Sequence, residues 1–430
     1  MILRRYEPEQ SLIINFKKEN CMPAVITSMN KRELEERGVN FLVMSLIVGF
    51  LLWVLFPLGV KAAEPEVAGW IPYWQDTEGL KSATKNIGKL DTVYPFVYEV
   101  DAAGNVVDKA DLEEKQWRDF LRLADREDVE VIPTIAWFDG EQIHRILSKK
   151  SSRNKLIDQI EELVDDNDFT GIDIDFEQKN PETIDHYSRF LKDLNKALGR
   201  KLVACTVEAR TPPEDIYKVV PNPLRYANDY EEINMHCDRI EIMAYDQQRA
   251  DLTLNDKRKG VPYVPVADNE WVEKVVDLAL EDFDEDKVML GVATYGRAWD
   301  ITVAPEWYKD YKRVASLNEP RILELSKIYK SPIGRTAGGE GVISYFPEDS
   351  PYKVFNALPT PKGTPKGFEA AAKALQVATI AKIELPVRIV IWSDAEAIEA
   401  KLEIVRENDL RGIAIFKIDG EESDDTWDLF

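Results

Sequence analysis

The chain has 430 residues and a formal net charge of −23, from 78 Asp and Glu against 55 Lys and Arg. Such an acidic exterior argues against nucleic acid or an anionic lipid surface as partner and suits a neutral polymer. Three Cys and three His, without a Cys-x-x-Cys pair or a mixed cluster, predict neither a metal site nor a cofactor.

The N-terminal part carries a membrane or export signal. Residues 39–60 contain no charged side chain and are long enough to span a bilayer. Basic residues precede this segment, so the positive-inside rule places the remainder outside the cytoplasm. Val-Lys-Ala at 60–62 is an acceptable cleavage site, which leaves a retained transmembrane anchor and a cleaved signal as alternatives. Residues 1–38 are then a cytoplasmic or disordered segment.

From residue 66 onward, short apolar runs alternate with amphipathic stretches, as in repeated βα units. The predicted strands are Val67–Tyr73, Thr92–Tyr98, Val129–Trp137, Gly171–Glu177, Leu202–Glu208, Arg239–Tyr245, Val288–Tyr295 and Gly412–Ile418. The predicted helices between them include Glu113–Ala124, Asn154–Asp165, Pro181–Leu198 and Trp271–Leu280. Eight strands with intervening helices are typical of a (β/α)₈ barrel, an α/β fold.

Residues from about 300 to 390 depart from this alternation of strands and helices. It contains Pro-rich, Gly-rich and polar stretches with one helical segment at Arg321–Tyr329. An interval of this length is too long for a barrel loop. We therefore predict a small α+β insertion after strand 7 of the TIM barrel.

Cysteine usage leaves two interpretations open. Cys205 and Cys237 fall on or near adjacent predicted strands, so a disulfide between them is conceivable. Two buried free thiols are the favoured interpretation.

The fourth strand carries the most informative motif. Residues 170–177 read Thr-Gly-Ile-Asp-Ile-Asp-Phe-Glu. Because successive side chains of a strand point to opposite faces, Asp173, Asp175 and Glu177 line one face and three apolar residues the other. Three acids on one face resist burial, so a purely structural strand has no reason to carry them. The alternative is a solvent-facing acidic strand.

This row of acids has a chemical logic. Ionised Asp173 and Asp175 would disfavour ionisation of Glu177 and keep it protonated near neutral pH, as a general acid requires. A retaining glycosidase normally has a second carboxylate as nucleophile. In the substrate-assisted exception, the acetamido oxygen of the sugar attacks the anomeric carbon.

Residues 171–177 resemble the Asp-x-x-Asp-x-Asp-x-Glu signature of glycoside hydrolase family 18, the chitinase family, with Thr170 in place of the first Asp. The resemblance implies that Glu177 protonates the leaving oxygen and later activates water. It further implies that Asp175 orients the acetamido group and that Asp173 tunes Asp175. Met-Ala-Tyr-Asp at 243–246 resembles the family's Met-x-Tyr-Asp, whose Tyr would hold the acetamido oxygen; a strand-end Tyr packed on a loop is the alternative.

The resemblance extends to the other strand ends. Residues 291–299 resemble the family's Gly-x-x-x-Tyr-Gly-Arg-x-Trp segment, which implies that Tyr295 and Arg297 line the cleft; Arg297 could equally be a structural ion-pair partner. Phe416 on strand 8 occupies the position of the family's Trp, which usually forms the floor of the cleavage subsite. Aromatic side chains stack well on pyranose rings. The expected catalytic residues are Glu177, Asp175, Asp173 and Tyr245, and the expected substrate-binding residues are Trp70, Phe96, Trp137, Met243, Asp246, Tyr295, Arg297 and Phe416.

The resemblance implies a catalytic barrel at residues 64–430 whose insertion deepens the cleft. We expect an exported, monomeric glycosidase that is membrane-anchored or secreted and acts outside the cell or in its envelope. It would hydrolyse β-1,4 linkages in glycans that contain N-acetylglucosamine: chitin oligomers, peptidoglycan strands or the core of N-glycans. Its partner is that polysaccharide, not nucleic acid, with membrane contact through residues 39–60 if they are uncleaved. The alternative is a non-catalytic sugar-binding protein on the same barrel; Glu177 favours the enzyme.

Overall fold

The computed structural model describes residues 64–430. The predictions for residues 1–38 and 39–60, and for cleavage at 60–62, lie outside the described residues. Within residues 64–430, no helix has both the length and the apolar character needed to cross a bilayer.

Eight parallel strands close into a barrel. Numbered along the chain, the strands are β1 (Glu66–Pro72), β2 (Thr92–Val100), β3 (Val106–Asp108), β4 (Glu130–Val131), β5 (Thr134–Trp137), β6 (Gly171–Phe176), β7 (Leu202–Glu208), β8 (Arg239–Met243), β9 (Val288–Ala293), β10 (Tyr295–Ala304), β11 (Trp307–Asn318), β12 (Gly334–Arg335), β13 (Gly341–Tyr345), β14 (Leu385–Trp392) and β15 (Gly412–Phe416). The barrel order is β1-β15-β9-β8-β7-β6-β5-β2, and β2 pairs with β1 to close the ring. The predicted TIM barrel is confirmed.

Helices connect the strands and pack outside them. They are α1 (Asp76–Lys85), α2 (Lys115–Arg126), α3 (Gly140–Leu147), α4 (Lys150–Asp166), α5 (Ile184–Leu198), α6 (Pro213–Ile216), α7 (Tyr230–His236), α8 (Leu252–Lys257), α9 (Asn269–Ala279), α10 (Glu319–Tyr329), α11 (Glu369–Ala381), α12 (Ala395–Glu407) and α13 (Asp424–Trp427). The Ala-rich helix α11 was not predicted, although Ala is the strongest helix former, because Pro- and Gly-rich sequence precedes it.

Most predicted strands differ from the structure by one or two residues at an end, and two of the differences have a local reason that bears on the site. The third is divided into β4 and β5 on either side of Ile132-Pro133, where Pro133 lacks the N–H that a strand ladder requires. The seventh was predicted to reach Tyr295, but β9 ends at Ala293 and Tyr295 begins β10. Tyr295 and Arg297 therefore lie on the insertion rather than on a barrel strand.

The insertion is a five-stranded antiparallel sheet of order β11-β10-β14-β13-β12, accompanied by α10 and α11. Its first strand follows β9 after the single residue Thr294. This short connection places the start of the insertion sheet directly at the mouth of the barrel, and the predicted insertion after strand 7 is confirmed.

Strand β6 is buried on both faces. Its outward residues Ile172, Ile174 and Phe176 join the core between strands and helices, where Phe176 stacks on Phe190 of α5 at 5.5 Å. Burial of each such side chain contributes about 1.5–3 kcal/mol. This packing holds the inward-facing acids in place.

The expectation of free thiols was wrong. Cys205 on β7 and Cys237 before β8 form a disulfide with their Cα atoms 6.0 Å apart. Both side chains lie in the layer between strands and helices, where neighbouring parallel strands bring them within the usual bridging distance.

Candidate active site

A cavity of about 520 Å³ opens at the carboxyl ends of the barrel strands, the end where barrels of this kind build their sites. All the predicted site residues line it except Asp173 and Trp137. Those that do are Asp175, Glu177, Tyr245, Trp70, Phe96, Met243, Asp246, Tyr295, Arg297 and Phe416. Strand parity and barrel closure bring these separated motifs together.

Asp173 lies below the cavity floor and is fully buried. Its carboxylate accepts hydrogen bonds from Thr134 Oγ1 at 2.7 Å, Thr206 Oγ1 at 2.9 Å and Trp70 Nε1 at 3.3 Å. Burial nevertheless raises the pKa of Asp173, against the opposing effect of these hydrogen bonds. The side chain is held rigidly beneath Asp175.

Asp175 is buried with no hydrogen bond to another described residue that would offset the cost of its burial. It is 3 % exposed, and its Oδ1 atom is buried without a hydrogen-bond partner. Burial, followed by the charges of Glu177 and Asp173, raises the pKa of Asp175 well above its usual value. An unsatisfied carboxyl oxygen in a cavity wall is costly unless a ligand supplies the missing donor.

Glu177 stands at the top of the row, directly after β6. Burial raises its pKa to about 7, with the charge of Glu208 as the next cause and Lys179 opposing it. The sequence expectation had the direction right and the cause wrong. The repulsion between Asp175 and Glu177 raises mainly the pKa of Asp175, whereas Glu177 responds to burial and to an acid on another strand.

Tyr245 presents its hydroxyl group to the cavity. Burial, with Tyr295 and the acids Asp175 and Glu177, raises the pKa of Tyr245 well above 10, so the phenol is a donor at neutral pH. The hydroxyl makes no hydrogen bond to another residue of the described part of the chain. Its ring stacks on Phe416 at 5.5 Å, which fixes its orientation.

Asp246 connects the barrel to the insertion. It accepts hydrogen bonds from Tyr295 Oη at 3.0 Å and from Arg297 Nε at 2.8 Å and Nη2 at 2.5 Å. Arg297 also donates to Ser316 of β11. Arg297 is thus an ion-pair partner that at the same time lines the cavity, and both predicted roles coexist.

Aromatic side chains form one wall of the cavity. Phe416 lies edge-on to Trp70 at 5.9 Å and to Phe96 at 6.4 Å. Phe416 therefore points into the cavity rather than into the helix layer. Met243 completes the lining on the β8 side.

The structure does not place Trp137 in the cavity, which corrects its predicted position. In the β5–β6 register Trp137 lies opposite Phe176, so it shares the outward parity and packs edge-on against Phe176 at 5.3 Å. The next residue, Phe138, lines the cavity and is 42 % exposed.

Sequence reasoning missed several cavity residues, Glu208 above all. Glu208 ends β7 with the inward parity of Ala204 and Thr206, a signal that strand alternation could have supplied. Trp74 also lines the cavity and is 49 % exposed. It follows β1 in a short turn, where parity has no predictive value.

Thr170, the departure from the family signature, lies at the far end of β6. Its Oγ1 accepts a hydrogen bond from the main-chain N–H of Val131 at 3.3 Å. The residue secures the entry of the strand and has no contact with the cavity. Within residues 64–430, no group of three or more His, Cys, Asp or Glu side chains could hold a metal ion.

Known protein families and structures resemble this chain. The family model described as "Glycosyl hydrolases family 18" matches residues 66–421. The uncharacterized glycosylase YvbX of Bacillus subtilis (strain 168) is 27% identical over 166 residues, 38% of this chain and 44% of that protein. The chain thus matches less than half the length of this curated relative.

Two solved structures share the fold. The spore cortex-lytic enzyme SleL of Bacillus cereus superposes with a TM-score of 0.62 at 18% identity, over 85% of this chain and 73% of that one. A chitinase from Chromobacterium violaceum ATCC 12472 gives the same TM-score and identity, over 85% of this chain and 97% of that one. At this identity the likeness concerns the fold alone.

Proposed function

The chain belongs to the glycosyl hydrolases family 18, and from that membership we propose that it hydrolyses β-1,4 linkages that follow N-acetylglucosamine units, by substrate-assisted catalysis with retention. The protein is a glycoside hydrolase. The observation that carries the finer proposal is the pair of adjacent inward acids, of which Glu177 has a pKa of about 7 and Asp175 an unsatisfied buried oxygen.

The proton of Glu177 is transferred to the glycosidic oxygen as the bond to the anomeric carbon breaks. A carboxyl group with a pKa near the working pH can donate this proton and then recover one from the attacking water. In the same step the acetamido oxygen of the substrate closes onto the anomeric carbon and forms a positively charged ring.

Asp175 and Tyr245 act on that acetamido group. The acetamido N–H would supply the donor that Asp175 Oδ1 lacks. The carboxylate charge would stabilise the positive ring more than the neutral ground state, which lowers the barrier. The free hydroxyl of Tyr245 would donate to the acetamido oxygen, and Asp173, held by three donors, would keep Asp175 in place.

The cleft and the predicted export signal support a polymer substrate outside the cytoplasm. Trp70, Phe96 and Phe416 offer apolar faces for sugar rings, and Tyr295 and Arg297 add a wall from the insertion. A disulfide is typical of proteins in oxidising compartments, which supports export to the envelope or exterior. Chitin oligomers and the glycan strands of peptidoglycan are the proposed substrates.

The test is to incubate the purified full chain with chitin tetramers and, separately, with purified peptidoglycan, and to identify the products by mass. We expect cleavage after N-acetylglucosamine and no cleavage of matched oligomers without the N-acetyl group. Glu208 is a carboxylate in the cavity, so a covalent glycosyl-enzyme must be sought. Trapping one on Glu208 would contradict the substrate-assisted mechanism.

A further inference from the structure

Glu208 is held close to the proposed general acid by the strand register. Asp173 lies opposite Ala204 and Ile174 opposite Cys205 in the β6–β7 pairing. Continued along both chains, this register brings Asp175 level with Thr206 two residues after Asp173, and Glu177 level with Glu208 four residues after it. Parallel neighbours lie about 4.8 Å apart. Both acids line the same cavity and point inward.

Two hydrogen bonds fix the Glu208 carboxylate. Its Oε1 accepts from the main-chain N–H of Gln178 at 3.2 Å, and its Oε2 accepts from Asn228 Nδ2 at 2.8 Å. Gln178 directly follows Glu177 and has a left-handed φ of 55°, a conformation that needs support from its surroundings. Glu208 thus supports the main chain that carries the acid.

Lys179 provides the opposing charge. It is 7 % exposed, its Nζ donates to the carbonyl oxygen of Phe176, and it lies 4.4 Å from the ring centroid of Tyr187. In the described part of the chain, no carboxylate oxygen lies within ion-pair distance of this ammonium group. Lys179 and Glu208 therefore act on Glu177 with opposite sign and are not neutralised by a direct contact with each other.

We propose that Glu208 and Lys179 are a pair of positioning residues that set the pH range of the enzyme: Glu208 makes Glu177 hold its proton, and Lys179 limits that effect. The inference rests on the proposed function, in which Glu177 is the proton donor. The direction of the pKa of Glu177 agrees, since Glu208 raises it and Lys179 lowers it. The charge of Asp246, which follows β8, also raises it to a lesser extent and is present in every variant tested.

The structure offers a variant that removes charge without removing contacts. In Glu208→Gln, the amide oxygen can accept from Gln178 N–H as before. Asn228 Oδ1 is buried without a partner, so rotation of the Asn228 amide would let it accept from the new Gln Nε2. A role limited to hydrogen bonding predicts no change in this variant, whereas a role of charge predicts a shifted pH profile.

The experiment measures kcat/KM against pH for the full chain and its variants on an N-acetylglucosamine oligomer. The alkaline limb reports the acid that must be protonated. We expect this limb to move to lower pH by roughly one pH unit in Glu208→Gln and to higher pH in Lys179→Met. The matched control is Glu182→Gln, an exposed acid five residues beyond Glu177 that pairs with Arg225, and its profile should equal that of the wild type.

A second measurement separates this inference from the proposed function. The carboxyl carbon of Glu177, assigned by comparison with Glu177→Gln, is titrated by NMR in the wild type and in Glu208→Gln. This titration requires neither turnover nor the Lys179 variant. Equal titration midpoints in the two proteins would overturn the pairing of Glu208 with Glu177. A shifted midpoint in a protein inactive on both glycans would support the pairing and reject the proposed function.

Discussion

Buried Arg239 at the amino end of the barrel has ion-pair partners, whereas the row of acids on β6 at the carboxyl end has none within residues 64–430. At the amino end of the strands, the buried Arg239 forms ion pairs with Glu130 and Glu66, and its Nη1 donates to Thr92 Oγ1 at 2.8 Å. At the carboxyl end, Asp175, Glu177, Glu208 and the buried Lys179 form no ion pair with another described residue, although Asp246 and Arg297 beside them pair with each other.

The difference separates the charges that stabilise this fold from the charges that serve its chemistry. A buried charge with ion-pair and hydrogen-bond partners holds elements together. Asp175 and Glu177 lack such partners and have raised pKa values, and Asp175 has an unsatisfied oxygen, which is the usual condition of an active site. The charges of the carboxyl end are therefore expected to matter for rate, and those of the amino end for folding.

The strongest test of the comparison is Glu177→Gln. The amide keeps the shape and cannot donate a proton, so we expect kcat to fall by roughly 10²–10⁴-fold. The free energy of unfolding and the binding of a chitin oligomer should be retained, as checked by thermal unfolding and calorimetry. Turnover within tenfold of the wild type would remove Glu177 from the role of general acid.

Asp175→Asn separates chemistry from binding. We expect kcat to fall by about 10²-fold with little change in KM, because the charge would act mainly on the positively charged intermediate. The thermal midpoint should not decrease, since the amide removes an uncompensated buried acid. A raised KM with unchanged kcat would instead make Asp175 a simple binding residue.

The carboxyl end should also carry a pH-dependent instability. The pKa of Glu177 is raised by burial from 4.5 to about 7, so the folded state retains a proton that the unfolded chain loses. The stabilisation is fully present below about pH 4.5 and is lost as the pH rises to about 7, by about 3 kcal/mol. Denaturant unfolding against pH should therefore show Glu177→Gln gaining stability relative to the wild type over this interval. A constant difference would contradict the shift.

Arg239→Met tests the amino end. The variant leaves Glu130 without its cation, whereas Glu66 keeps its ion pair with Arg411 at 2.8 Å. Glu130 is about one-third exposed, so water relieves part of the loss. We expect the free energy of unfolding to fall by about 2 kcal/mol, with kcat/KM unchanged below the unfolding temperature. A lowered kcat in the folded variant would show that the two ends are coupled.

The smallest expected effect is that of Phe416→Trp. Indole offers a larger face to a sugar ring, worth about 0.5–1.5 kcal/mol in binding an N-acetylglucosamine oligomer. Affinity is measured by calorimetry and packing by thermal unfolding. Unchanged affinity with a lower thermal midpoint would mean that the rings of Trp70 and Tyr245 leave no room for the larger side chain.

The periodicity of apolar residues along the chain was enough to predict the barrel, since alternating βα units leave few ways to bury eight apolar strands. It was also enough to place Asp173, Asp175 and Glu177 on one face, because side-chain direction in a strand follows from position alone. The same rule accounts for the position of Trp137. Its place in β5 directs the side chain outward, whereas the family resemblance implied that it lines the cleft.

The amino-acid sequence by itself determined the fold class, the row of acids and the family to which it points, because each is written in short-range spacing. Only the tertiary structure decided which charges meet. Glu208 lies beside Glu177 through strand register, Arg297 reaches Asp246 from a separate sheet, and Cys205 joins Cys237 across neighbouring strands. These contacts depend on distances between segments far apart in the chain, and burial then sets the pKa values that local sequence cannot encode.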